Sequence, residues 1–304
     1  MVVDPFAAHP GCVVLDGGLA TELERRGADL RDPLWSARVL IEDPGLIVEV
    51  HRAYAAAGAD VVTSASYQAS FEGLAARGFD RAAAASLLER SVELARESVD
   101  DRRVLVAASV GPYGAVLANG AEYTGDYELG PPSTARTALR EFHLPRAEVL
   151  AAAGPDLLAI ETIPSVVEAE ALVEVLDVLG DVPAWVSFSC RDGARLSDGT
   201  ALEDAVSIVT ASPQVVAVGV NCTPPAFVPE LIRRARGITE TSLIAYPNRG
   251  GTWDATAKTW TGDAVPDGFG PLAAHLRASG ACLIGGCCGT GPSDIEAIVA
   301  TVRA

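Results

Sequence analysis

Short apolar runs alternate with longer helical segments along the whole chain. Each run is rich in Val, Ile, Leu and Ala, and each is followed by a segment rich in Ala, Leu, Glu and Arg. This alternation predicts repeated βα units around a parallel sheet. The predicted strands, eight in number, are residues 12–16, 60–65, 104–110, 157–161, 184–189, 215–220, 242–246 and 282–285.

The helical segments between these strands include residues 81–99, 134–152, 166–179 and 294–302. Eight βα units in this order predict an α/β protein with a single (β/α)8 TIM barrel, formed by residues 1–304 as one domain. The alternative is an open doubly wound sheet. That fold usually has a G-x-G-x-x-G turn after its first strand, whereas here the first strand ends in Asp16-Gly17-Gly18-Leu19. The barrel is therefore the better interpretation.

Two connections are too long to be simple turns. They are residues 111–132, after the third strand, and residues 247–267, after the seventh, and both are rich in Gly, Pro, Tyr and Asn. Loops of this length in a compact domain are usually lids or binding loops. The pattern does not assign a role to either one.

Composition and charge limit the partners of this chain. Of its 304 residues 49% are hydrophobic, and 40 acidic against 23 basic residues give a net charge of −17. Such a field repels nucleic acid and anionic membrane surfaces. The N-terminal residues lack the pattern of a signal peptide, and the apolar runs are too short to cross a bilayer. We therefore expect a cytoplasmic protein without nucleic-acid or membrane partners, and its oligomeric state stays open.

Polar residues, cysteines and glycines stand at the ends of the predicted strands, where barrel enzymes place their catalytic groups. They are Asp16-Gly17-Gly18, residues 64–68, Glu161-Thr162, Cys190, Asn221-Cys222, residues 246–248 and residues 285–289.

Cys287 and Cys288 are the most informative of these residues. Adjacent side chains of a strand point to opposite faces, so both thiols reach one point only if the backbone turns, and the flanking glycines permit that turn. Cys222 ends the sixth strand. Three thiolates at barrel strand ends fit a catalytic zinc site with an open fourth position. Two other interpretations remain: a phosphate-binding loop after the eighth strand, or inert core thiols.

The remaining cysteines and the histidines carry weaker signals. Cys12, Cys190 and Cys282 lie in or at strands without glycines on both sides and are interpreted as small apolar fillers. Three histidines fall on predicted helices and His9 in the N-terminal segment, so we expect surface or packing roles and no hydrolytic triad.

Taken together, the strand-end motifs resemble those of the zinc-dependent homocysteine S-methyltransferases, a family related to the betaine–homocysteine methyltransferases. The resemblance extends from about residue 12 to the C-terminus. The motifs that carry it are residues 15–23, 64–68, 161–164, 219–222, 246–248 and 285–290, which read LDGGLATEL, SASYQ, ETIP, GVNC, YPN and GGCCGT.

The resemblance implies that Cys222, Cys287 and Cys288 hold Zn2+. It also implies that the homocysteine ammonium meets Asp16 and Glu161, although Asp16 read alone fits a helix N-cap and Glu161 a salt bridge at the barrel rim. The other substrate-binding residues predicted at these motifs are Gly17, Gly18, Ser64, Ser66, Asn221, Tyr246 and Asn248.

The implied reaction is methyl transfer to the zinc-bound thiolate of homocysteine, which forms methionine. Because the chain is too short for separate folate and cobalamin modules, we expect a sulfonium donor, S-methylmethionine or S-adenosylmethionine. Aromatic residues in the long loops and on the rim are candidates for cation–π contact with it: Trp253, Trp260, Tyr246, Tyr67 and Tyr113.

Alternative functions remain open. A betaine-type donor, another thiol acceptor or a non-catalytic zinc-binding barrel each fits the same cysteines. A barrel lyase or aldolase is disfavoured, because Schiff-base chemistry needs a lysine at a strand end and the only lysine, Lys258, falls in a loop.

Overall fold

All eight predicted barrel strands are present, and they pair in parallel. A computed structural model describes residues 2–9, 11–30, 36–99, 103–250, 252–254, 259–261, 265 and 267–304. The barrel strands are β1 (Val13–Val14), β2 (Val61–Thr63), β3 (Leu105–Val110), β4 (Leu157–Ile163), β5 (Ala184–Phe188), β6 (Val215–Asn221), β7 (Ser242–Tyr246) and β10 (Leu283–Ile284). The predicted (β/α)8 barrel is confirmed.

The sheet closes on itself between its first and second strands. Its order is β1-β10-β7-β6-β5-β4-β3-β2. Across the remaining gap the amide of Asp60 donates to the carbonyl of Val14 at 2.7 Å, and the amide of Asp16 donates to that of Val61 at 3.1 Å. All strands therefore end at one mouth, which is where the site lies.

Helices surround the barrel. In the part of the chain that the structure describes they are α1 (Leu19–Arg25), α2 (Ser36–Glu42), α3 (Pro44–Ala56), α4 (Phe71–Ala75), α5 (Arg81–Glu97), α6 (Tyr113–Leu117), α7 (Pro132–Ala152), α8 (Val166–Leu179), α9 (Leu202–Thr210), α10 (Val228–Arg236), α11 (Phe269–Ala278) and α12 (Pro292–Val302). Asp80 and Ser165 cap the N-termini of α5 and α8 with their side-chain oxygens. These caps satisfy amides that a helix end leaves unpaired. None of the described helices is long and apolar enough to cross a membrane.

Two apolar layers hold the barrel together. The larger lies between the outer face of the sheet and the helices, and the smaller fills the barrel interior. In the interior, Trp185 is fully buried among small side chains such as Ala107 and Ala217. A large side chain beside alanines fills the barrel at the packing density that protein cores require.

The two long loops have secondary structure that their composition did not reveal. The loop at 111–132 contains α6 and a 3-10 turn, Ala121–Tyr123. The loop at 247–267 contains an antiparallel hairpin of β8 (Thr252–Asp254) and β9 (Thr259–Thr261), in which Trp253 pairs with Trp260. The side chains of this hairpin, and Lys258, lie outside the described residues.

Candidate metal centre and active-site cleft

Three cysteines converge at the mouth of the barrel. Cys222 follows β6, and Cys287 and Cys288 follow β10. Their sulfur atoms all lie within 4.8 Å of one another, and Sγ of Cys222 is 3.6 Å from Sγ of Cys288. Of the described residues, only this group brings three potential ligands together in that way. The predicted ligand set is thus one cluster that could hold a metal ion.

The backbone turns at both ends of the cluster. Cys222 has a φ of +45°, in the left-handed region, and Gly289 has a φ of +83°. The amide of Cys287 donates to the carbonyl of Pro247 at 2.8 Å, and the carbonyl of Cys288 accepts from the amide of Arg249 at 2.9 Å. Since the chain leaves strand geometry here, adjacent thiols reach the same point.

The glycine-rich turn does not offer its amides to a phosphate. The amide of Gly286 donates to the carbonyl of Asp16 at 3.1 Å, and that of Gly289 donates to Oγ1 of Thr21 at 2.8 Å. The amide of Cys287 is also bonded, as described above. The interpretation as a phosphate-binding loop therefore loses its donors.

Tyr123 contacts the cluster from the loop that follows β3. Its hydroxyl lies 3.1 Å from Sγ of Cys222. Burial and the charge of Cys222 raise the pKa of Tyr123 well above its ordinary value, so the phenol stays protonated and donates to the sulfur. Hydrogen bonds from Cys287 and Cys288 hold the pKa of Cys222 well below that of a free thiol. The trio is therefore built to carry negative charge at Cys222.

Asp16 and Glu161 line the cleft beside these thiols. The amide of Thr63 donates to Oδ2 of Asp16 at 2.7 Å, and Oγ1 of Thr63 donates to Oδ1 at 3.0 Å. Oγ of Ser109 donates to Oε1 of Glu161 at 2.5 Å. These bonds fix both carboxylates in the wall of the cleft. The contacts of Asp16 join it to β2, so its carboxylate does not cap α1, whose N-cap residue is Gly18.

Burial dominates the electrostatics of both acids. It raises the pKa of Asp16 to about 8, with a further contribution from the charge of Glu161. Burial likewise raises the pKa of Glu161 to about 7, against the hydrogen bonds from Ser109 and Tyr246, which lower it. Such carboxyl groups favour a cationic ligand, because a positive charge nearby restores their ionised form.

Four of the other predicted substrate-binding residues also line the cleft: Gly17, Gly18, Ser64 and Tyr246. A Cβ on Gly18 would lie 2.7 Å from the carbonyl oxygen of Cys287, so only glycine allows this approach. The cleft encloses about 880 Å³ of empty space, including its opening to solvent.

Ser66, Asn221 and Asn248 are buried but are not among the residues that line the cleft. Asn221 is fully buried, and its Oδ1 accepts from the amide of Thr162 at 2.7 Å. Thr162 has a φ of +62° and follows Glu161, so Asn221 holds the strained turn beside that carboxylate. Oγ of Ser66 donates to the carbonyl of Ser109, and Oδ1 of Asn248 accepts from the amide of Gly250. Direct substrate contact by these three stays a prediction.

The predicted aromatic contacts separate into three groups. Tyr67 and Tyr246 line the cleft. Tyr113 instead packs edge-on against Tyr127 and Phe142, with ring centroids 5.3 Å and 4.9 Å away. The side chains of Trp253 and Trp260 lie outside the described residues.

Sequence reasoning missed Glu122 and Tyr123, which enter the cleft from the loop at 111–132. Burial raises the pKa of Glu122 to about 7. No periodicity marks these residues, and the only signal was the length of the loop. Arg249 was missed as well, although it follows the predicted motif at 246–248 directly.

The histidines take no part in this site. His51 and His143 are fully buried within α3 and α7, which agrees with the expected packing role. Burial lowers the pKa of each to about 4, so both are neutral near pH 7. His9 bonds the carbonyl of Arg103 at 3.0 Å.

Comparison with known proteins shows the family to which the chain belongs. The family model described as homocysteine S-methyltransferase matches residues 13–302. The homocysteine S-methyltransferase YbgG of Bacillus subtilis is 46% identical over 96% of this chain and 94% of that protein. The homocysteine S-methyltransferase of Escherichia coli is 47% identical over 95% of this chain and 94% of that protein.

A solved structure agrees with these sequence matches. The metallated form of the homocysteine methyltransferase MmuM from Escherichia coli superimposes with a TM-score of 0.86. It is 43% identical and covers 99% of this chain and 100% of its own. The resemblance seen in the strand-end motifs is confirmed, and the chain is an enzyme of the homocysteine S-methyltransferase family.

Proposed function

We propose that this enzyme transfers a methyl group from a sulfonium donor, S-methylmethionine or S-adenosylmethionine, to the sulfur of L-homocysteine, with Zn2+ held by its three cysteines. The observation that carries the proposal is the position of the thiol cluster in the same cleft as Asp16 and Glu161. A soft-metal site thus lies beside two carboxylates that suit an amino-acid ammonium.

The donor set fits zinc. Thiolate ligands bind zinc at about 2.3 Å in a tetrahedral arrangement, which separates their sulfurs by about 3.8 Å. The 3.6 Å between Cys222 and Cys288 and the 4.8 Å limit for the whole trio agree with that spacing. Three ligands leave a fourth position for substrate. Bound zinc would supply a Lewis acid that favours the thiolate form of a coordinated thiol.

Asp16 and Glu161 would bind and orient the acceptor. Each carboxylate keeps acceptor capacity beyond the bonds from Thr63 and Ser109, so each can take an N–H from the α-ammonium. Ionic hydrogen bonds of this kind, made in a buried site, would fix the acceptor so that its sulfur reaches the thiol cluster.

The transfer itself needs no protein base. The acceptor sulfur attacks the methyl carbon from the side opposite the leaving sulfur. A new carbon–sulfur bond forms there, and the bond between the methyl carbon and the leaving sulfur breaks. The leaving sulfur takes the bonding electron pair and becomes a neutral thioether, and the proton of the acceptor thiol is released to solvent when that thiol binds. Leu15, Leu19 and Trp185 line the cleft and exclude water from the reacting atoms.

The direct test is methionine formation from homocysteine by zinc-loaded and chelator-stripped protein. S-methylmethionine, S-adenosylmethionine and betaine serve as parallel donors, and bound zinc is measured in the same samples. We expect zinc-dependent product with a sulfonium donor. Turnover with betaine alone would show that the donor is a quaternary ammonium compound and not a sulfonium. A zinc-loaded protein that makes no methionine from any donor would refute the proposal.

A further inference from the structure

The active-site cleft contains one acidic side chain more than the proposed function uses. Asp16 and Glu161 are assigned to the acceptor ammonium, but Glu122 lines the same cleft. No described residue that lines it is basic. With three carboxyl groups and three thiols in its wall, the cleft is suited to more positive charge than one metal ion and one ammonium supply.

The backbone of Glu122 is held by a hydrogen bond, whereas one oxygen of its carboxylate has no hydrogen-bond partner among the described residues. Its carbonyl accepts from Oγ of Ser189 at 3.0 Å, which ties the 3-10 turn Ala121–Tyr123 to the end of β5. The residue is only 5% exposed. Its Oε2 is buried and has no hydrogen-bond partner among the described residues. A buried carboxylate oxygen without a donor is costly, so it indicates a ligand that brings one.

The position of Glu122 points to the donor rather than the acceptor. Its neighbour Tyr123 donates to Sγ of Cys222 at 3.1 Å. Glu122 therefore lies beside the cluster at which the methyl group must arrive, on a loop separate from the strand ends that hold Asp16 and Glu161. The loop packs closely around this residue, since a Cβ on Gly114 would lie 2.5 Å from the amide nitrogen of Glu122.

The chemistry of the carboxylate selects which cation it takes. A sulfonium carries positive charge but has no N–H to donate, and the aromatic faces of Tyr67 and Tyr123 suit it better. An ammonium offers three N–H donors. We propose that Glu122 binds the α-ammonium of the methyl donor, so that the enzyme selects sulfonium compounds that are α-amino acids. This inference rests on the proposed sulfonium function.

The test compares two donors in two variants. S-methylmethionine has the α-ammonium, and its analogue without the amino group keeps the sulfonium and the carboxylate. Glu122→Gln keeps the shape of the side chain and removes its charge. Glu128→Gln, an exposed position in the same loop, is the matched control. Zinc content and thermal unfolding are measured for each protein.

We expect Glu122→Gln to raise the KM for S-methylmethionine roughly 10- to 100-fold, the usual effect of losing an ionic hydrogen bond. The KM for homocysteine should stay within about twofold of the wild-type value, because the acceptor is assigned to Asp16 and Glu161 and separate sites act independently. For the same reason Glu128→Gln should have the KM values of the wild type. The analogue should be a poor donor for the wild type and equally poor for Glu122→Gln. Glu122→Asp should recover part of the loss.

Three results would overturn the inference. The first is an unchanged KM for S-methylmethionine in Glu122→Gln, and the second is a rise in the KM for homocysteine instead of the KM for S-methylmethionine. The third is a wild-type enzyme that uses both donors equally well. If Glu122→Gln does not fold, the comparison of donors in the wild type still decides. Calorimetric binding of S-methylmethionine to zinc-loaded protein tests Glu122 without turnover. Binding that the variant retains refutes this inference, whereas binding without turnover refutes the proposed function.

Discussion

Nη2 of Arg249 lies 2.6 Å and 2.7 Å from the two carboxylate oxygens of Asp294, in the first turn of α12. Nε of Arg249 also donates to the carbonyl of Gly289 at 3.0 Å, and its amide donates to that of Cys288. One arginine thus joins a helix to the turn that carries two of the proposed metal ligands. Such an outer contact fixes ligand geometry without touching the metal.

Arg249→Ala should therefore weaken metal binding. We expect a loss of about 10- to 100-fold in zinc affinity, the usual effect of removing an outer-sphere contact. Competition with a chromophoric chelator measures it. Arg136→Ala, which removes a surface arginine paired with Glu170 and Glu174, should leave the affinity unchanged. Equal affinities in both variants would show that the turn holds its shape without Arg249.

Cys288→Ser should remove zinc and activity while the barrel stays folded. A neutral hydroxyl replaces one of three thiolates, and two thiolates do not retain zinc at ordinary chelator concentrations. Cys12→Ser is the matched control, because Cys12 precedes β1 and lies at the end of that strand away from the mouth of the barrel. Bound zinc per chain and far-UV circular dichroism are the measurements. A Cys288→Ser protein with full zinc and turnover would exclude this cluster as the metal site.

Glu161→Gln should raise the KM for homocysteine by about 10- to 100-fold, because it removes an ionic partner of the ammonium in a buried site. The KM for the methyl donor should change little. Steady-state kinetics with each substrate varied in turn separates the two. Glu141→Gln, exposed on α7, serves as the control. If the KM for the donor rises instead, Glu161 belongs to the donor site.

Glu168 should anchor the loop that brings Glu122 and Tyr123 into the cleft. Its carboxylate accepts from the amide of Tyr113 at 2.6 Å, the hydroxyl of Tyr127 at 2.6 Å and Nε2 of His143 at 2.8 Å.

We expect Glu168→Gln to lower the free energy of unfolding by about 2 to 3 kcal/mol, since it weakens a buried charged network. Hydrogen exchange should accelerate first at residues 113–127. Glu170→Gln, on the same helix and half exposed, should have neither effect. Unchanged exchange in that loop would show that other contacts hold it.

His51 should make stability depend on pH. Burial lowers its pKa to about 4, and neither ring nitrogen has a hydrogen-bond partner among the described residues. The unfolded chain binds a proton near its ordinary value of about 6.5, so this stabilisation is complete above that pH and is lost as pH falls from 6.5 toward 4. At pH 5 the loss is about 2 kcal/mol.

His51→Leu removes that titration. Urea unfolding of both proteins at pH 7.5 and pH 5 gives the comparison, in which the buried carboxyl groups cancel. We expect the variant to gain about 2 kcal/mol relative to the wild type between the two pH values. A constant difference would mean that His51 binds a proton as readily in the folded protein as in the unfolded chain.

The sequence predicted the parts of this molecule that depend on local pattern. Buried strands of a barrel are apolar runs, so all eight were found, and residues at strand ends share one mouth, so Cys222 and Cys287 were correctly expected to meet. The cleft residues of the loop at 111–132 were not found. Glu122 and Tyr123 reach the site through contacts of Glu168 with Tyr113 and Tyr127, which are distant in sequence and leave no periodic trace.

Asn221 shows a different limit. Its position at the end of β6 indicated a polar role at the mouth, and the motif suggested a substrate ligand. In the structure its side-chain oxygen instead accepts hydrogen bonds from the amide of Thr162 and from Oγ of Ser187. Whether a strand-end side chain points into the cleft or back into the barrel depends on the turn after it, and a positive φ at Thr162 and Cys222 is not readable from their residue types.

Two of the three predicted metal ligands follow the last strand of the barrel, so zinc binding would be coupled to the docking of that strand. β1 and β10, which pair in parallel, have two residues each, and the turn with Cys287 and Cys288 follows β10 directly. The last strand must dock before Cys222 meets its partners, so an ion that binds all three selects the closed barrel and stabilises it by mass action. A cell short of zinc would then lose not only turnover but also the chain itself, as opened barrels are cleared by proteases.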